Sequence, residues 1–160
     1  MARRLPQGLD HNRRHPMPNR HVAQIIENQV VTTAKSTDTV RSAAERMCER
    51  KIGAVLVVDG ETLVGIFTER DALNRVIAAN LNPDTTRLSE VMTADPQSIA
   101  PDAPFRNALH LMYENGFRHV PVTKDGRPLG MVSARDALGL DLLEFESDLE
   151  LRENISEILG

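Results

Sequence analysis

The stretch Gly65–Leu73 reads GIFTERDAL, and the stretch Gly130–Leu138, 65 residues further along the chain, reads GMVSARDAL. Both contain a glycine, two apolar residues, a Thr or Ser, one variable residue and then Arg-Asp-Ala-Leu. A nine-residue phrase that returns in this way indicates an internal duplication, which should extend beyond the phrase itself.

The match does extend, without a gap, when the chain is shifted by 65 positions. Val40-Arg41 meets Phe105-Arg106, Met47 meets Met112, and Val55 meets Val120. We therefore predict two copies of one structural repeat, in residues 22–80 and residues 88–143. Residues 81–87, which include the turn-rich run Asn-Pro-Asp-Thr-Thr, are predicted to be the linker.

Each half is predicted to follow the order β-α-β-β-α. In the first half, β-branched residues over 30–33 predict a strand, the helical spacing from Val40 to Cys48 predicts a helix, and Asp59-Gly60 predicts a hairpin turn. Thr68 is expected to open the second helix. The corresponding elements of the second half are predicted at residues 97–99, 105–115, 120–123, 128–132 and 134–143. Met47, Met112, Cys48 and the Val/Ile runs are predicted to be core.

The composition is that of an ordinary soluble domain: 160 residues, 41% apolar and 26% charged. No apolar run is long enough to cross a bilayer, and the N-terminus lacks the apolar segment of a secretory signal. The single Cys48 cannot form an internal disulfide. These features predict a cytoplasmic protein without a membrane partner.

The two ends carry opposite charge. Residues 1–21 contain five Arg and one Asp, whereas residues 139–160 contain seven acids and one Arg. We predict a basic disordered arm over 1–21 and an acidic helix over 144–160. Aromatic residues do not interleave with the basic ones, so nucleic acid is not the expected partner. His11 and His15 have helical metal-ligand spacing, but Pro16 and Pro18 argue for a disordered arm rather than a metal site.

The repeated phrase has two interpretations. Thr-x-x-Asp can be a helix cap in which hydroxyl and carboxylate each satisfy a backbone N–H, and this needs no ligand. However, capping boxes prefer the longer Glu or Gln at the third position, and capping does not require the preceding Arg. A hydroxyl and a guanidinium suit phosphate oxygens, and a carboxylate can accept both hydroxyls of a ribose. The phrase therefore also fits the sugar-phosphate end of a nucleotide.

Taken together, the element order, the Asp-Gly hairpin, Val120-Pro121-Val122, the segment Glu90–Thr93 and the two Arg-Asp phrases resemble a tandem pair of CBS domains, a Bateman module, over residues 22–143. The resemblance implies an α+β fold, with two β-α-β-β-α CBS repeats packed sheet to sheet about a pseudo-twofold axis. It also implies a stand-alone, non-catalytic regulatory module that binds AMP, ADP, ATP, NAD or S-adenosylmethionine as a regulatory ligand rather than as a cofactor.

By the same resemblance, Asp71 and Asp136 would hold ribose, and Thr68 and Ser133 would meet phosphate beside Arg70 and Arg135. The adenine would lie against the first strand of a repeat, which implicates Thr33 and Ala34 in one half and Ser98, Ile99 and Ala100 in the other. Core packing alone would supply the same residue types.

The halves differ just before the middle strand, where Arg118-His119 stands opposite Gly53-Ala54. Basic residues at this position face phosphates in some CBS proteins. We therefore predict two unequal sites, the tighter being the one that Arg118 reaches. A solvated Arg118 and a half-buried, structural His119 are the alternatives.

Further expectations concern activity and partners. No nucleophilic set or metal cluster is suggested, so no enzymatic activity is expected. A homodimer is expected, formed through the helices at Val40–Met47 and Phe105–Met112. A C-terminal stripe of Leu138, Leu142, Phe145 and Leu149 also needs a partner surface, either on a second chain or on its own module. The regulated protein would be a separate chain. The alternative is a dimerisation scaffold that binds no ligand.

Overall fold

The computed structural model describes residues 20–137 and 140–159. Most of the predicted arm (with His11 and His15) and Leu138 lie outside these residues. The helices are α1 (Val22–Ile26), α2 (Val40–Arg50), α3 (Glu69–Asp71, continued by a π-helical turn, Ala72–Ile77), α4 (Leu88–Val91), α5 (Phe105–Asn115) and α6 (Leu140–Leu159). The strands are β1 (Thr33–Lys35), β2 (Ala54–Asp59), β3 (Thr62–Thr68), β4 (Thr93–Ala94), β5 (His119–Lys124) and β6 (Arg127–Ser133).

The fold consists of two similar repeats of helices and strands, as the duplicated sequence predicts. Strands β1 to β4 form one sheet in that order, with β1 parallel to β2 and the remaining pairs antiparallel. Strands β5 and β6 form the second hairpin. Its third strand is reduced to a parallel bridge between Ile99 and Val122, the counterpart of the pairing of Ala34 with Val57 in the first repeat.

The short helix of each repeat packs against the other repeat. Val22 and Ile26 of α1 are buried in the core of the second repeat with Phe105 and Val132. Leu88 and Val91 of α4 are buried in the core of the first repeat. A third apolar cluster, built on Ala54, Leu56 and Ile66 and contacted by Met131, lies between the two hairpins. The repeats therefore share buried surface that neither would have alone.

The glycine of each repeated phrase permits this exchange. A Cβ atom on Gly130 would lie 2.9 Å from Cβ of Ile26, and one on Gly65 would lie 3.1 Å from the backbone oxygen of Thr93. Beside Gly130, the Gln29 side chain accepts a hydrogen bond from the Met131 N–H and donates one to its carbonyl, thus substituting for a strand such as β4.

Three predictions about local structure were wrong. The first strand of each repeat begins later than predicted, since Thr33 opens β1 and only Ile99 pairs in the second repeat. Residues 134–143 are not one helix: a 3₁₀ turn ends at Asp136, Ala137 is extended, and α6 begins at Leu140. Cys48 is exposed, because the buried stripe of α2 is Val40, Ala43 and Met47.

The helix faces proposed for a dimer interface are also not free. Val40, Ala43 and Met47 fill the first core, and Phe105, Ala108, Leu109 and Met112 fill the second. Phe145 of α6 packs against its own module, with ring centroids 5.1 Å from His110 and 5.9 Å from Tyr113 in edge-on contacts. The partner of this part of the C-terminal stripe is thus helix α5 of the same chain.

Candidate functional site

The first phrase forms a complete helix cap at the end of β3. The Asp71 N–H donates to the Thr68 hydroxyl oxygen at 3.2 Å, and the Thr68 N–H donates to Oδ2 of Asp71 at 2.9 Å. The Thr68 hydroxyl also donates to Oδ2, again at 2.9 Å. Asp71 is buried, with 9% of its surface exposed.

The second phrase forms the same two bonds to its carboxylate at the end of β6. The Ser133 N–H donates to Oδ2 of Asp136 at 2.6 Å, and the Ser133 hydroxyl donates to the same oxygen at 3.2 Å. The expectation that Asp would reach back poorly is wrong, because both carboxylates close the box. Capping occupies Oδ2 only. Oδ1 of Asp71 lies 3.4 Å from Nε of Arg75, whereas Oδ1 of Asp136 makes no hydrogen bond or ion pair with the described residues.

Each phrase opens onto its own cavity. The Thr68 pocket, of about 510 Å³, is lined by Thr68, Arg70 and Asp71 together with residues from the start of the second repeat, Thr93 and Asp95–Gln97. The Ser133 pocket, of about 470 Å³, is lined by Ser133, Arg135 and Asp136 together with residues from the start of the first repeat, Gln29–Thr32. Both volumes are in the range of small-molecule sites.

The predicted adenine walls do not line either cavity. Ala34 and Ile99 are buried in the cores by strand pairing, and Thr33 of β1 pairs with Leu56 of β2. Ser98 and Ala100 flank the Ile99 bridge and are likewise absent from both linings. The linings instead include residues that precede these strands in the chain, Val30–Thr32 and Asp95–Gln97.

A shared partition separates the two pockets. Gly53, Glu69, Arg118 and His119 line both cavities. A Cβ atom on Gly53 would lie 3.3 Å from Oε2 of Glu69 and 3.4 Å from Nε2 of His119, so these two side chains converge over the bare backbone of Gly53. Arg118 and His119 therefore lie on the partition between the pockets, and Arg118 lines both of them.

Burial lowers the pKa of His119 below its ordinary value of 6.5. The positive charge of Arg118 lowers this pKa further, while the negative charge of Glu69 opposes the shift. His119 is accordingly a neutral imidazole at pH 7 and adds no positive charge to the partition.

The cationic side chains differ between the pockets. In the Thr68 pocket, Nη1 of Arg70 donates to the Gly116 carbonyl at 3.1 Å, and Nη1 of Arg75 donates to the Met92 carbonyl at 2.8 Å. In the Ser133 pocket, the side-chain nitrogens of Lys51 and Arg135 make no hydrogen bond or ion pair within the described part of the chain.

Sequence reasoning missed Lys51, Glu69, Arg75 and Asp95 as pocket residues. Glu69 stands inside the repeated phrase at the one variable position, where the second copy has Ala134. That charge difference was the available signal. Lys51 and Asp95 carry no local motif and reach the pockets through backbone turns of positive φ, 53° and 47°.

Neither a metal-binding cluster nor a membrane-spanning helix occurs in the described residues. No group of three or more His, Cys, Asp or Glu side chains is arranged there to hold a metal ion. None of the helices described has the length and apolar character that crossing a membrane requires.

The comparison with protein families identifies the class of protein that this fold and these two pockets define. The CBS domain model matches residues 22–78 and again residues 88–142. The chain therefore belongs to the CBS domain family, as a tandem pair.

Among individual proteins, the chain is 40% identical over 109 residues to CBS domain-containing protein CBSCBSPB1 of Arabidopsis thaliana. That match covers 68% of this chain but 20% of the relative, so the chain spans about a fifth of that protein's length.

Two solved structures show the same fold. The CBS domain protein PAE2072 from Pyrobaculum aerophilum, complexed with AMP, superposes with a TM-score of 0.72 at 23% identity over 79% of this chain and 98% of that one. The CBS domain pair of protein MJ0100, in complex with 5′-methylthioadenosine and S-adenosyl-L-methionine, superposes with a TM-score of 0.67 at 27% identity over 74% and 93%.

Proposed function

We propose that this protein is a non-catalytic regulatory module that binds an adenosine-containing ligand in each of its two pockets and signals to a separate protein. One observation carries the proposal: each Ser/Thr-x-Arg-Asp phrase places a hydroxyl, an arginine and a carboxylate on the wall of its own cavity. These are the groups that a ribose and its 5′ substituent require.

The capping role of the two aspartates is compatible with this role. Oδ2 of Asp71 and of Asp136 accepts the bonds that close the helix cap. In our proposal the second oxygen, Oδ1, accepts the ribose hydroxyls. Hydrogen bonds to a charged acceptor contribute about 1.5–3 kcal/mol each, so one oxygen is enough to fix the sugar.

Relatives of the same fold support the choice of ligand class. The MJ0100 pair is in complex with two adenosine compounds, and the PAE2072 protein is complexed with AMP. For this chain we propose AMP, ADP, ATP, NAD or S-adenosylmethionine as candidate ligands, acting as regulators and leaving the module unchanged. The site holds hydrogen-bonding groups for sugar and phosphate, but sequence and geometry suggest no nucleophile paired with a base.

We further propose a cytoplasmic homodimer. Apolar side chains remain exposed outside the two cores, including Leu73 and Ile77 on α3 and Leu151 on α6, at 57%, 70% and 60%. Such residues can contribute to an interface between copies. Light scattering after size exclusion at micromolar concentration should return twice the chain mass of 17.8 kDa; a monomer would contradict this part of the proposal.

A dimerisation scaffold that binds no ligand is the second candidate. The closed capping boxes favour it, because they account for Thr68, Asp71, Ser133 and Asp136 without any ligand. It does not account for the two cavities or for the unpaired cations of the Ser133 pocket.

Two measurements decide between the candidates. Mass spectrometry of small molecules released from the purified, denatured protein should detect an adenosine compound. Thermal-shift measurements should be made with AMP, ADP, ATP, NAD and S-adenosylmethionine. A compound that binds should stabilise the protein by ~2.7 kcal/mol when its concentration is a hundred times its Kd. The ligand should be recovered unchanged. If no adenosine compound is released and none stabilises the protein, the dimerisation scaffold is the function that remains.

A further inference from the structure

The Ser133 pocket has two cationic side chains that do not line the Thr68 pocket and that make no hydrogen bond or ion pair with the described residues. Lys51 and Arg135 line this cavity and not the other, and their side-chain nitrogens have no partner among the described residues. Of the acids described by the structure, Asp136 alone lines this pocket and not the Thr68 pocket. The residues unique to this pocket therefore sum to one positive charge.

The Thr68 pocket also has two cations of its own, but both already bind protein oxygens. Arg70 donates to the Gly116 carbonyl, and Arg75 donates to the carbonyls of Val91 and Met92 while lying 3.4 Å from Asp71. Asp95 adds a second acid next to Asp71 on this side. The residues unique to this pocket therefore sum to zero, and their guanidinium groups would have to release carbonyls to bind phosphate.

The partition does not remove this difference. Glu69 and Arg118 contribute opposite charges to both cavities, and neutral His119 contributes none. The contrast between the pockets consequently rests on Lys51 and Arg135 on one side and on the engaged arginines and Asp95 on the other.

We infer that the two pockets select adenosine ligands of different charge: the Ser133 pocket takes a ligand with several phosphates, and the Thr68 pocket takes one whose 5′ group is uncharged or cationic. The inference rests on the proposed function and assigns a ligand class to each pocket. Each additional phosphate gains from Lys51 and Arg135 in the first pocket, whereas Asp95 opposes it in the second.

The test uses single-pocket proteins. Asp71→Asn should disable the Thr68 pocket and Asp136→Asn the Ser133 pocket, while the remaining amide oxygen still accepts the capping N–H. Calorimetric titrations with adenosine, 5′-methylthioadenosine, S-adenosylmethionine, AMP and ATP then rank ligands for each pocket. In Asp71→Asn we expect ATP to bind at least about tenfold more tightly than adenosine. In Asp136→Asn we expect S-adenosylmethionine or 5′-methylthioadenosine to bind more tightly than ATP by a similar factor.

Two charge variants locate the cause. In the Asp71→Asn protein, Lys51→Asn should weaken ATP about three- to tenfold and leave adenosine unchanged, whereas Arg50→Gln, an exposed neighbour that lines neither cavity, should change neither. Asn is chosen because it tolerates the positive φ of this position. In the Asp136→Asn protein, Asp95→Asn should strengthen AMP relative to adenosine, and the exposed Asp102→Asn should not.

The outcomes distinguish a failure of ligand selection by the two pockets from a failure of the proposed function. Equal ranking of the ligands by both single-pocket proteins would overturn this inference and leave the proposed function standing. Failure of the wild type to bind any of the five compounds would overturn both. Thermal unfolding of each variant in the absence of ligand confirms that it is folded.

Discussion

Gly53 and Arg118 occupy the same position in the two repeats. The carbonyl oxygen of Gly53 accepts a hydrogen bond from the Glu69 N–H, and that of Arg118 accepts one from the Ala134 N–H, each at 3.0 Å. The backbone hydrogen bond is thus the same in both repeats, while the side chains differ in charge: Gly53 and Glu69 correspond to Arg118 and Ala134. One repeat supplies glycine and a carboxylate to the centre of the module, and the other supplies a guanidinium and a methyl group.

Replacing Arg118 by alanine should weaken phosphate-bearing ligands at both pockets, because this side chain lines both. We expect losses that grow with the number of phosphates, about tenfold for ATP, and almost no change for adenosine. Calorimetry with adenosine, AMP and ATP measures this. Arg106→Ala, an exposed arginine on α5 that lines neither pocket, is the control. An equal loss for adenosine and ATP would show that Arg118 supports structure rather than phosphate.

His119 should make the protein less stable in mild acid. Its folded-state pKa lies below 6.5. As the pH falls through 6.5, the unfolded chain takes up a proton that the folded protein does not, so the free energy of unfolding decreases until the folded-state pKa is reached. The stability is fully present above pH 6.5. Urea unfolding of wild type and His119→Gln between pH 5 and 7.5 should show a shallower pH dependence for the variant. Parallel curves would contradict the shift.

Adding a methyl group at Gly130 should destabilise the fold. The new Cβ would lie 2.9 Å from both Cβ and Cγ2 of Ile26, and a β-branched carbon next to the helix backbone cannot rotate away. We expect Gly130→Ala to cost about 1–3 kcal/mol in urea unfolding. Gly65→Ala should cost less, since its nearest neighbour is the flexible side chain of Met92. Wild-type stability of Gly130→Ala would mean that α1 does not pack on β6.

Removing the Phe145 ring should loosen α6 from α5. The ring makes edge-on contacts with His110 and Tyr113 and packs against the second core. We expect Phe145→Ala to cost about 1–3 kcal/mol and to reduce hydrogen-exchange protection in α6. Glu150→Ala, at an exposed side chain on the same helix, should stay within about 0.5 kcal/mol of wild type. Unchanged protection in Phe145→Ala would argue against the docking of α6.

Much of the fold could be predicted because the duplication gives every local signal twice. The helices at Val40–Arg50 and Phe105–Asn115, the two hairpins and the caps at Thr68 and Ser133 all have periodic or turn signals in their own residues. The exchange of α1 and α4 between repeats has no such signal, because a helix of four or five residues has the same sequence pattern whichever core buries Val22 or Leu88.

The pockets were predictable only in part, because some of their residues lie in a local motif and others are brought there only by the fold. Thr68, Asp71, Ser133 and Asp136 lie within a motif, so their placement followed from the sequence. The walls depend on where strand pairing begins. Ala34 and Ile99 pair with neighbouring strands and are buried in the cores. The residues that precede them in the chain therefore line the cavities. Arg75 and Asp95 reach the Thr68 pocket through turns and tertiary contacts that no spacing rule encodes.

The central claim is that each aspartate serves one adenosine site, and the stoichiometry of binding tests it most directly. Calorimetric titration of the wild type with its tightest-binding ligands should resolve two sites per chain. Asp71→Asn and Asp136→Asn should each lose one site, by about ten- to a hundredfold in affinity, and the double variant should lose both. If the two single variants and the double variant bind every ligand as the wild type does, Asp71 and Asp136 are helix caps alone and the account is contradicted.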